Sequence, residues 1–226
     1  MRTRAVGTGL AVMVLCLIYT WAGAEELTAR VRWVVDGDTI ILSTGHTVRL
    51  MNIDAPELSR DDQPGQYYAQ RARRCAVELM SGAVVDMHAG GTDRFDRLVG
   101  RVHLADGTSV NKALVARGAA FVCPWSPKQQ AACDDLLPLQ RRAMKDRVGF
   151  WGAILSLPEA REPFAGNLRS KRFHTQECAF GQAIHARNKK TFYTLREAFQ
   201  AGFAPGRCCS PWPERAQGQK IKGEKK

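Results

Sequence analysis

The sequence predicts an α+β protein that is mainly β: a five-stranded Greek-key β-barrel with about three helices, followed by a small C-terminal unit. The first half of the chain alternates short apolar, β-branched runs with Asp-Gly and Thr-Gly turns, and few stretches there have helical spacing. With 226 residues, 45% of them hydrophobic, the chain can form one main core and a small second one.

The predicted strands lie in two groups. Three of them, separated by turns at Asp36-Gly37-Asp38 and Ser43-Thr44-Gly45, form an antiparallel meander, and two more follow the first helix. Five strands with helices between and after them are typical of a barrel of the oligonucleotide-binding (OB) type. The predicted strand ranges are 31–35, 39–42, 47–50, 83–88 and 98–104.

The three predicted helices are bounded by residues that end or interrupt helices. Residues 66–80 have apolar positions at helical spacing and stop at Ser81-Gly82, and residues 111–117 stop at Gly118. Residues 134–146 form a longer helix that Pro138 is expected to interrupt early. The main domain then ends at Gly149-Phe150-Trp151-Gly152.

Residues 1–24 have the composition of a secretory signal, with a basic start, an apolar run and small residues at Ala22-Gly23-Ala24. We therefore expect a secreted or periplasmic, monomeric protein without stable membrane association, and an uncleaved membrane anchor is the alternative. The other predicted segments are a main domain at 25–152, a linker at 153–172, a cysteine-containing module at 173–212 and a basic disordered tail at 213–226.

Six cysteines remain after removal of the signal, an even number in a compartment that permits disulfides. Three bridges are therefore expected, and the short loop between Cys123 and Cys133 is the best candidate for one of them. The six are Cys75, Cys123, Cys133, Cys178, Cys208 and Cys209.

Basic residues are concentrated in the C-terminal part of the chain. Residues 153–226 carry 14 basic and 6 acidic side chains, whereas residues 25–152 carry 17 basic and 16 acidic ones. Such an asymmetry indicates either attraction to a polyanion such as nucleic acid or a solvated tail that aids solubility.

Three short segments combine carboxylates and arginines in a way that suits phosphodiester hydrolysis: 36–39, 49–57 and 93–97. A hard cation such as Ca²⁺ prefers carboxylate and carbonyl oxygens, which acidic segments of this kind can supply. Arg49 and Arg97 provide forked donors that match phosphate oxygens and stabilise the charge that develops in the transition state.

These segments, Asp-Gly-Asp-Thr, Arg-Leu-x-x-x-Asp-x-Pro-Glu and Asp-x-Phe-x-Arg, resemble the staphylococcal nuclease family over about residues 31–152. The resemblance implies a Ca²⁺-dependent nuclease acting on single-stranded or locally opened DNA and RNA. Glu57 would hold or deprotonate the attacking water, and which of the two it does stays open. The implied catalytic residues are Arg49, Glu57 and Arg97, and the implied metal ligands are Asp38, Asp54 and Ala55.

This sequence departs from the family at three positions. Ala55 stands where threonine is common, Phe95 where tyrosine often helps hold the phosphate, and Asp96 where glycine is frequent. None of His46, His88 and His103 has metal-ligand spacing. Two other functions compete with the enzyme: a non-catalytic OB-fold module that binds nucleic acid, and an envelope-associated structural protein whose basic tail is its main functional part.

Residues 173–209 weakly resemble the metal-binding module of Ada-type DNA repair proteins, which uses four cysteines for zinc. Only Cys178, Cys208 and Cys209 are present here, and two of them are adjacent. A disulfide-stapled unit is therefore favoured over a zinc site. Four basic residues could bind nucleic acid, namely Arg187, Lys189, Lys190 and Arg196.

Overall fold

A closed five-stranded barrel forms the centre of the molecule, as the sequence predicts. The structure is a computed structural model that describes residues 26–59, 64–124, 133–158, 162–206 and 209. The strand order is β1-β2-β3-β6-β5, with β3 and β6 parallel and the other neighbours antiparallel. The strands are β1 (Glu26–Val34), β2 (Thr39–Leu42), β3 (Thr47–Leu50), β5 (Val84–Thr92) and β6 (Leu98–Leu104).

A separate two-stranded ladder pairs β4 (Ile53–Asp54) with β7 (Phe121–Val122). Both strands are fully buried. The sequence did not predict this ladder, because two-residue strands are too short to show an alternating pattern. The ladder fixes the backbone of Asp54 beside the end of the barrel.

The three predicted helices are present as α1 (Ala69–Met80), α2 (Val110–Ala116) and α3 (Leu137–Lys145), and a one-turn helix, α4 (Trp151–Ile154), follows. The prediction that Pro138 interrupts α3 is wrong, because the helix begins at Leu137 and Pro138 lies in its first turn. Proline is tolerated there, since the N–H groups of the first turn have no partner within the helix.

The C-terminal unit contains a four-stranded sheet of order β10-β8-β9-β11. Its strand β8 lies within residues 153–172, the segment that was expected to be a linker, and the division of the chain into domains stays a prediction. The elements of the unit are β8 (Phe164–Asn167), β9 (Arg172–His174), α5 (Ala179–Gln182), β10 (Lys189–Phe192), α6 (Leu195–Gln200) and β11 (Ala204–Pro205).

The C-terminal unit shares a core with the barrel domain. Trp151 and Phe199, both fully buried, meet edge to face with ring centroids 4.8 Å apart. Phe121 of β7 contacts the same Phe199 ring at 5.7 Å. Buried Gln140 of α3 accepts a hydrogen bond from the Val122 amide and donates one to the Phe199 carbonyl, both at 2.7 Å. This shared core fixes β9 relative to the barrel.

The predicted signal at 1–24 and the predicted tail at 213–226 lie outside the described residues. Within the part of the chain that the structure describes, no helix is long and apolar enough to cross a membrane. Cys123 and Cys133 are both buried. Burial and the neighbouring Cys123 raise the pKa of the Cys133 thiol to about 12. The predicted disulfide between the two stays a prediction.

Candidate active site

Asp38, Arg49 and Asp54 meet because of the β2-β3 hairpin and the short strand β4. Thr39, next to Asp38, pairs with Arg49, and the Leu50 amide donates to the Asp38 carbonyl at 2.8 Å. Arg49 Nη1 contacts Asp38 Oδ1, and Nη2 donates to Asp54 Oδ1 at 2.6 Å. One guanidinium therefore joins the two carboxylates that the sequence motifs predict to be metal ligands.

The carboxylate of Asp38 is held rigidly in a buried position. Its Oδ2 accepts a hydrogen bond from the Ala55 amide at 2.6 Å, and its own amide donates to Asp36 Oδ1 at 3.1 Å. A Cβ atom at Gly37 would lie 2.6 Å from the Ala55 Cβ. Only glycine allows the Asp36-Gly37-Asp38 turn to approach Ala55 this closely. Glycine at position 37 is therefore needed for the hydrogen bond between Asp38 and the Ala55 amide.

Asp54 remains ionised although it is buried. Burial by itself raises the pKa of a carboxyl, but the guanidiniums of Arg49 and Arg172 outweigh this effect and hold the pKa of Asp54 below its usual value. Two buried carboxylates within reach of one cationic group form an oxygen-rich pair of donors. This donor set fits a hard divalent cation such as Ca²⁺, with the Ala55 carbonyl adjacent in sequence.

Arg97 is positioned by a tight turn at the start of β6. Its Nε and Nη2 donate to Asp93 Oδ2 at 2.9 and 2.7 Å, while the Phe95 and Arg97 amides donate to Asp93 Oδ1. Despite some desolvation, these bonds lower the pKa of Asp93. Asp96 adopts a φ of 59° in this turn. That left-handed conformation favours glycine over aspartate.

Arg49 and Arg97 face the same cavity, which has a volume of about 570 Å³. Strand β6 lies beside β3 in parallel register, with Arg49 opposite Val99, so that Arg97 and Arg49 lie on the same side of the sheet. Phe95 is 58% exposed at the rim, with the Arg94 and Arg97 guanidiniums 4.7 and 5.3 Å from its ring centre. The cavity therefore combines two phosphate-type donors with an exposed aromatic ring.

Glu57 follows the metal-type ligands closely in sequence. The described residues that line the cavity do not include it, and they do not include Asp38, Asp54 or Ala55 either. Its loop is closed on Gln66, since the Glu57 amide donates to Gln66 Oε1 and the Gln66 amide donates to the Glu57 carbonyl, both at 2.8 Å. The structure therefore brings Asp38, Arg49, Asp54, Ala55 and Arg97 together and leaves the role of Glu57 a prediction.

Arg172, at the start of β9, is a site residue that the sequence analysis did not identify. Its Nη1 donates to Asp54 Oδ2 at 2.9 Å, and the side chain lines the same cavity. Although burial opposes its charge, the nearby Cys123 and Asp54 raise the pKa of Arg172. The contact joins residues 118 positions apart, and no motif or spacing signals a pairing at that distance.

Comparison with known proteins agrees with this geometry. Residues 47–153 match the family model described as "Staphylococcal nuclease homologue". The chain is 32% identical to an "Uncharacterized endonuclease" of Escherichia coli O157:H7 over 152 residues, which cover 65% of this chain and 92% of the relative.

Two further relatives extend the comparison. The "Micrococcal nuclease" of Shigella flexneri is 29% identical over 172 residues, which cover 71% of this chain and 90% of that protein. The "Succinoglycan biosynthesis protein ExoI" of Rhizobium meliloti is 33% identical over 156 residues, 67% of this chain and 77% of that protein. The chain therefore belongs to the staphylococcal nuclease family and is a phosphodiester hydrolase of the endonuclease type.

Proposed function

We propose that the protein is an exported, Ca²⁺-dependent nuclease that hydrolyses phosphodiester bonds in both DNA and RNA and acts as a monomer. One observation carries the proposal. Asp38 and Asp54 converge on the Arg49 guanidinium, which also faces the cavity that Arg97 lines. The carboxylates that suit a cation and the guanidiniums that suit a phosphate therefore lie side by side at Arg49, as metal-assisted phosphodiester cleavage requires.

The side chains divide the chemistry among themselves. Asp38, Asp54 and the Ala55 carbonyl would hold Ca²⁺, which supplies charge neutralisation at the phosphate when it is bound. Arg49 and Arg97 donate hydrogen bonds to phosphate oxygens, whose negative charge grows as a fifth oxygen ligand joins phosphorus. Asp93 positions Arg97 by its paired hydrogen bonds to the guanidinium.

Glu57 either deprotonates or orients the attacking water. This role rests on its position in the chain, because its carboxylate follows the metal-ligand segment after a rigid proline. All of these groups act on phosphate and water, so weak discrimination between deoxyribose and ribose is expected. Phe95 at the rim offers an exposed ring on which one base can stack, which favours single-stranded or locally opened substrates. The family resemblance implies products with 3′-phosphate ends.

The basic C-terminal part of the chain fits a polyanionic substrate. Lys189 and Lys190 of β10 are exposed, and Arg187 lies exposed just before them. These charges would raise affinity for nucleic acid in a way that falls with increasing salt. Export rests on the signal-like segment 1–24, and fractionation of cells that produce the full chain would test it by locating the mature protein.

The proposal is tested by digestion of single-stranded DNA and RNA oligonucleotides with Ca²⁺ or with chelator. Arg97→Ala and Glu57→Gln should each lower kcat/KM by about 10²-fold or more, since each removes a group that acts in the transition state. Arg32→Ala on β1 and Glu78→Gln on α1 are matched controls, because both side chains are exposed. Salt-sensitive binding by a folded protein without cleavage would instead favour the non-catalytic binding module.

A further inference from the structure

Arg172 reaches the nuclease site from the C-terminal unit. It is the first residue of β9, whose backbone pairs with Asn167 of β8 and Ala204 of β11. Its Nη1 makes two hydrogen bonds of 2.9 Å, to Asp54 Oδ2 and to the Pro205 carbonyl. The side chain is 25% exposed and faces the active-site cavity. The family-matched segment ends at residue 153, so this group is an addition to the nuclease domain.

Two guanidiniums share the Asp54 carboxylate. Arg49 binds Oδ1 and Arg172 binds Oδ2. Both arginines also line the cavity, whereas Asp54 is buried behind them. A cation that binds Asp54 must therefore take carboxylate oxygens that these arginines hold, and each arginine then has donors available for another anion.

Three arginines of the cavity are paired with carboxylates: Arg49 with Asp38 and Asp54, Arg97 with Asp93, and Arg172 with Asp54. A divalent cation bound at Asp38 and Asp54 would compete with Arg49 and Arg172 for these carboxylates. A guanidinium carries five N–H donors, and both hydrogen bonds that the described residues show for the Arg172 side chain leave from Nη1.

We propose that Arg172 is a third phosphate-binding arginine of the nuclease, supplied by the C-terminal unit and held by Asp54 until Ca²⁺ takes that carboxylate. The hydrogen bond to Pro205 keeps the guanidinium at the cavity after the transfer. This inference rests on the Ca²⁺ site of the proposed function.

The test uses the full mature chain and the variants Arg172→Gln and Arg172→Lys. With saturating Ca²⁺, Arg172→Gln should lower kcat/KM on single-stranded DNA by about 10- to 100-fold, the cost of one charged hydrogen bond to phosphate. Calorimetric titration with Ca²⁺ alone should show that Arg172→Gln binds Ca²⁺ as tightly as the parent does or more tightly, because one guanidinium no longer competes for Asp54. The kcat/KM of Arg172→Lys should lie between those of the parent and of Arg172→Gln, since lysine keeps the charge but lacks the forked guanidinium. Arg32→Gln removes one exposed positive charge from strand β1 and should change neither quantity by more than about 2-fold.

The outcomes separate this inference from the proposed function. A parent protein without Ca²⁺-dependent cleavage would refute both. An active parent whose Arg172→Gln variant keeps its kcat/KM would refute the role of Arg172 alone. Weaker Ca²⁺ binding, with activity restored by more Ca²⁺, would also refute it and make Arg172 a support for Asp54. If Arg172→Gln does not fold, the same measurements on Arg172→Lys decide the question.

An independent observation concerns three side chains at the other end of β9. His174 ends β9, Cys178 precedes α5, and Cys209 follows β11. His174 Nδ1 lies 3.4 Å from Cys178 Sγ and 3.6 Å from Cys209 Sγ, and the three atoms all lie within 4.8 Å of one another. A Cβ atom at Gly206 would lie 2.6 Å from Nδ1, so glycine keeps space at this edge of the ring.

These distances match the edges of a tetrahedral metal site. With Zn–N near 2.0–2.1 Å and Zn–S near 2.3 Å, a tetrahedral angle places nitrogen and sulfur about 3.5–3.6 Å apart. One imidazole and two thiolates are ligand types that zinc favours in proteins. From this geometry we infer a zinc-type site whose ligands include His174, Cys178 and Cys209.

Titration of the reduced, metal-free full chain with Co²⁺ tests this site. A thiolate-to-cobalt charge-transfer band should saturate at one ion per chain, and Zn²⁺ should abolish it. His174→Ala, Cys178→Ser and Cys209→Ser should each weaken the band, whereas Cys75→Ser on α1 should leave it intact. Oxygen ligands at the nuclease site give no such band. Absence of the band, or its equal loss in Cys75→Ser, would refute the site, and a Cys178–Cys209 disulfide in the metal-free isolated protein would establish the staple instead.

Discussion

Arg49 holds two buried carboxylates at once, so its removal should reveal how much stability a metal can restore. The Arg49 side chain is 13% exposed, and those of Asp38 and Asp54 are 4% and 8% exposed. Arg49→Met removes the shared cation and leaves two buried negative charges close together. Loss of one partner of a buried ion pair costs about 3–5 kcal/mol, and Arg172 still neutralises part of Asp54, so we expect about 3 kcal/mol.

Calcium should reduce this loss. On the proposed function, Ca²⁺ has to displace a guanidinium in the parent protein, whereas in the variant it would meet the carboxylates without that competitor. A ligand present at 100 times its dissociation constant stabilises the folded state by about 2.7 kcal/mol. At saturating Ca²⁺ the difference in unfolding free energy between the two proteins changes by RT times the logarithm of the ratio of their dissociation constants. A variant that binds Ca²⁺ about fivefold or more tightly than the parent should therefore show a difference smaller by at least about 1 kcal/mol than in chelator.

Urea unfolding at neutral pH, with chelator and with Ca²⁺, measures both quantities. Arg32→Met is the matched control, because Arg32 is an exposed arginine on β1 and its loss should cost less than about 0.5 kcal/mol in either condition. An Arg49→Met variant that is as stable as the parent in chelator would refute the buried pairing. A loss that Ca²⁺ leaves unchanged would refute a metal site at these carboxylates.

Two further predictions concern other contacts. Gln140→Leu leaves the Val122 amide and the Phe199 carbonyl buried without their partner. The free energy of unfolding, measured by denaturant titration, should therefore fall by about 2–5 kcal/mol. A loss below about 1 kcal/mol would contradict the bridging role of Gln140. Asp93→Asn should lower kcat/KM through misplacement of Arg97, and should lower stability by about 1 kcal/mol at pH 6, after allowance for solvent screening. Because the pKa of folded Asp93 lies below its ordinary value of 3.8, this stabilisation is present above that pH and disappears as the pH falls through the folded pKa. Equal sensitivity of parent and variant to acid would contradict the prediction.

The barrel and most of the site could be predicted because their signals are local. Each of the five strands has its own run of apolar residues and its own turn, and the Asp36-Gly37-Asp38 turn also carries a metal-type ligand. The motif that includes Arg49 and Asp54 spans a single strand and the segment after it. Once the strands pair in the only register that buries their apolar faces, these side chains have to meet.

Features with weak local signals were missed or misplaced. The sequence predicts that Pro138 interrupts a helix, yet Pro138 lies in the first turn of α3, where proline is favoured. The β4-β7 ladder is two residues long on each side and depends on contacts with the rest of the core. The sequence did not predict strand β8, because this strand has only four residues, one of which is Gly166, and a turn follows it.

The sequence by itself determined the family motifs, the barrel and the types of group at the site, since turn chemistry and apolar periodicity act over a few residues. Only the tertiary structure decided that the C-terminal unit packs on the barrel through Phe199 and places Arg172 on Asp54. It also decided that His174 joins Cys178 and Cys209. Such contacts arise from the packing of whole elements against a shared core, and a pairing between side chains far apart in the chain leaves no pattern in either segment alone.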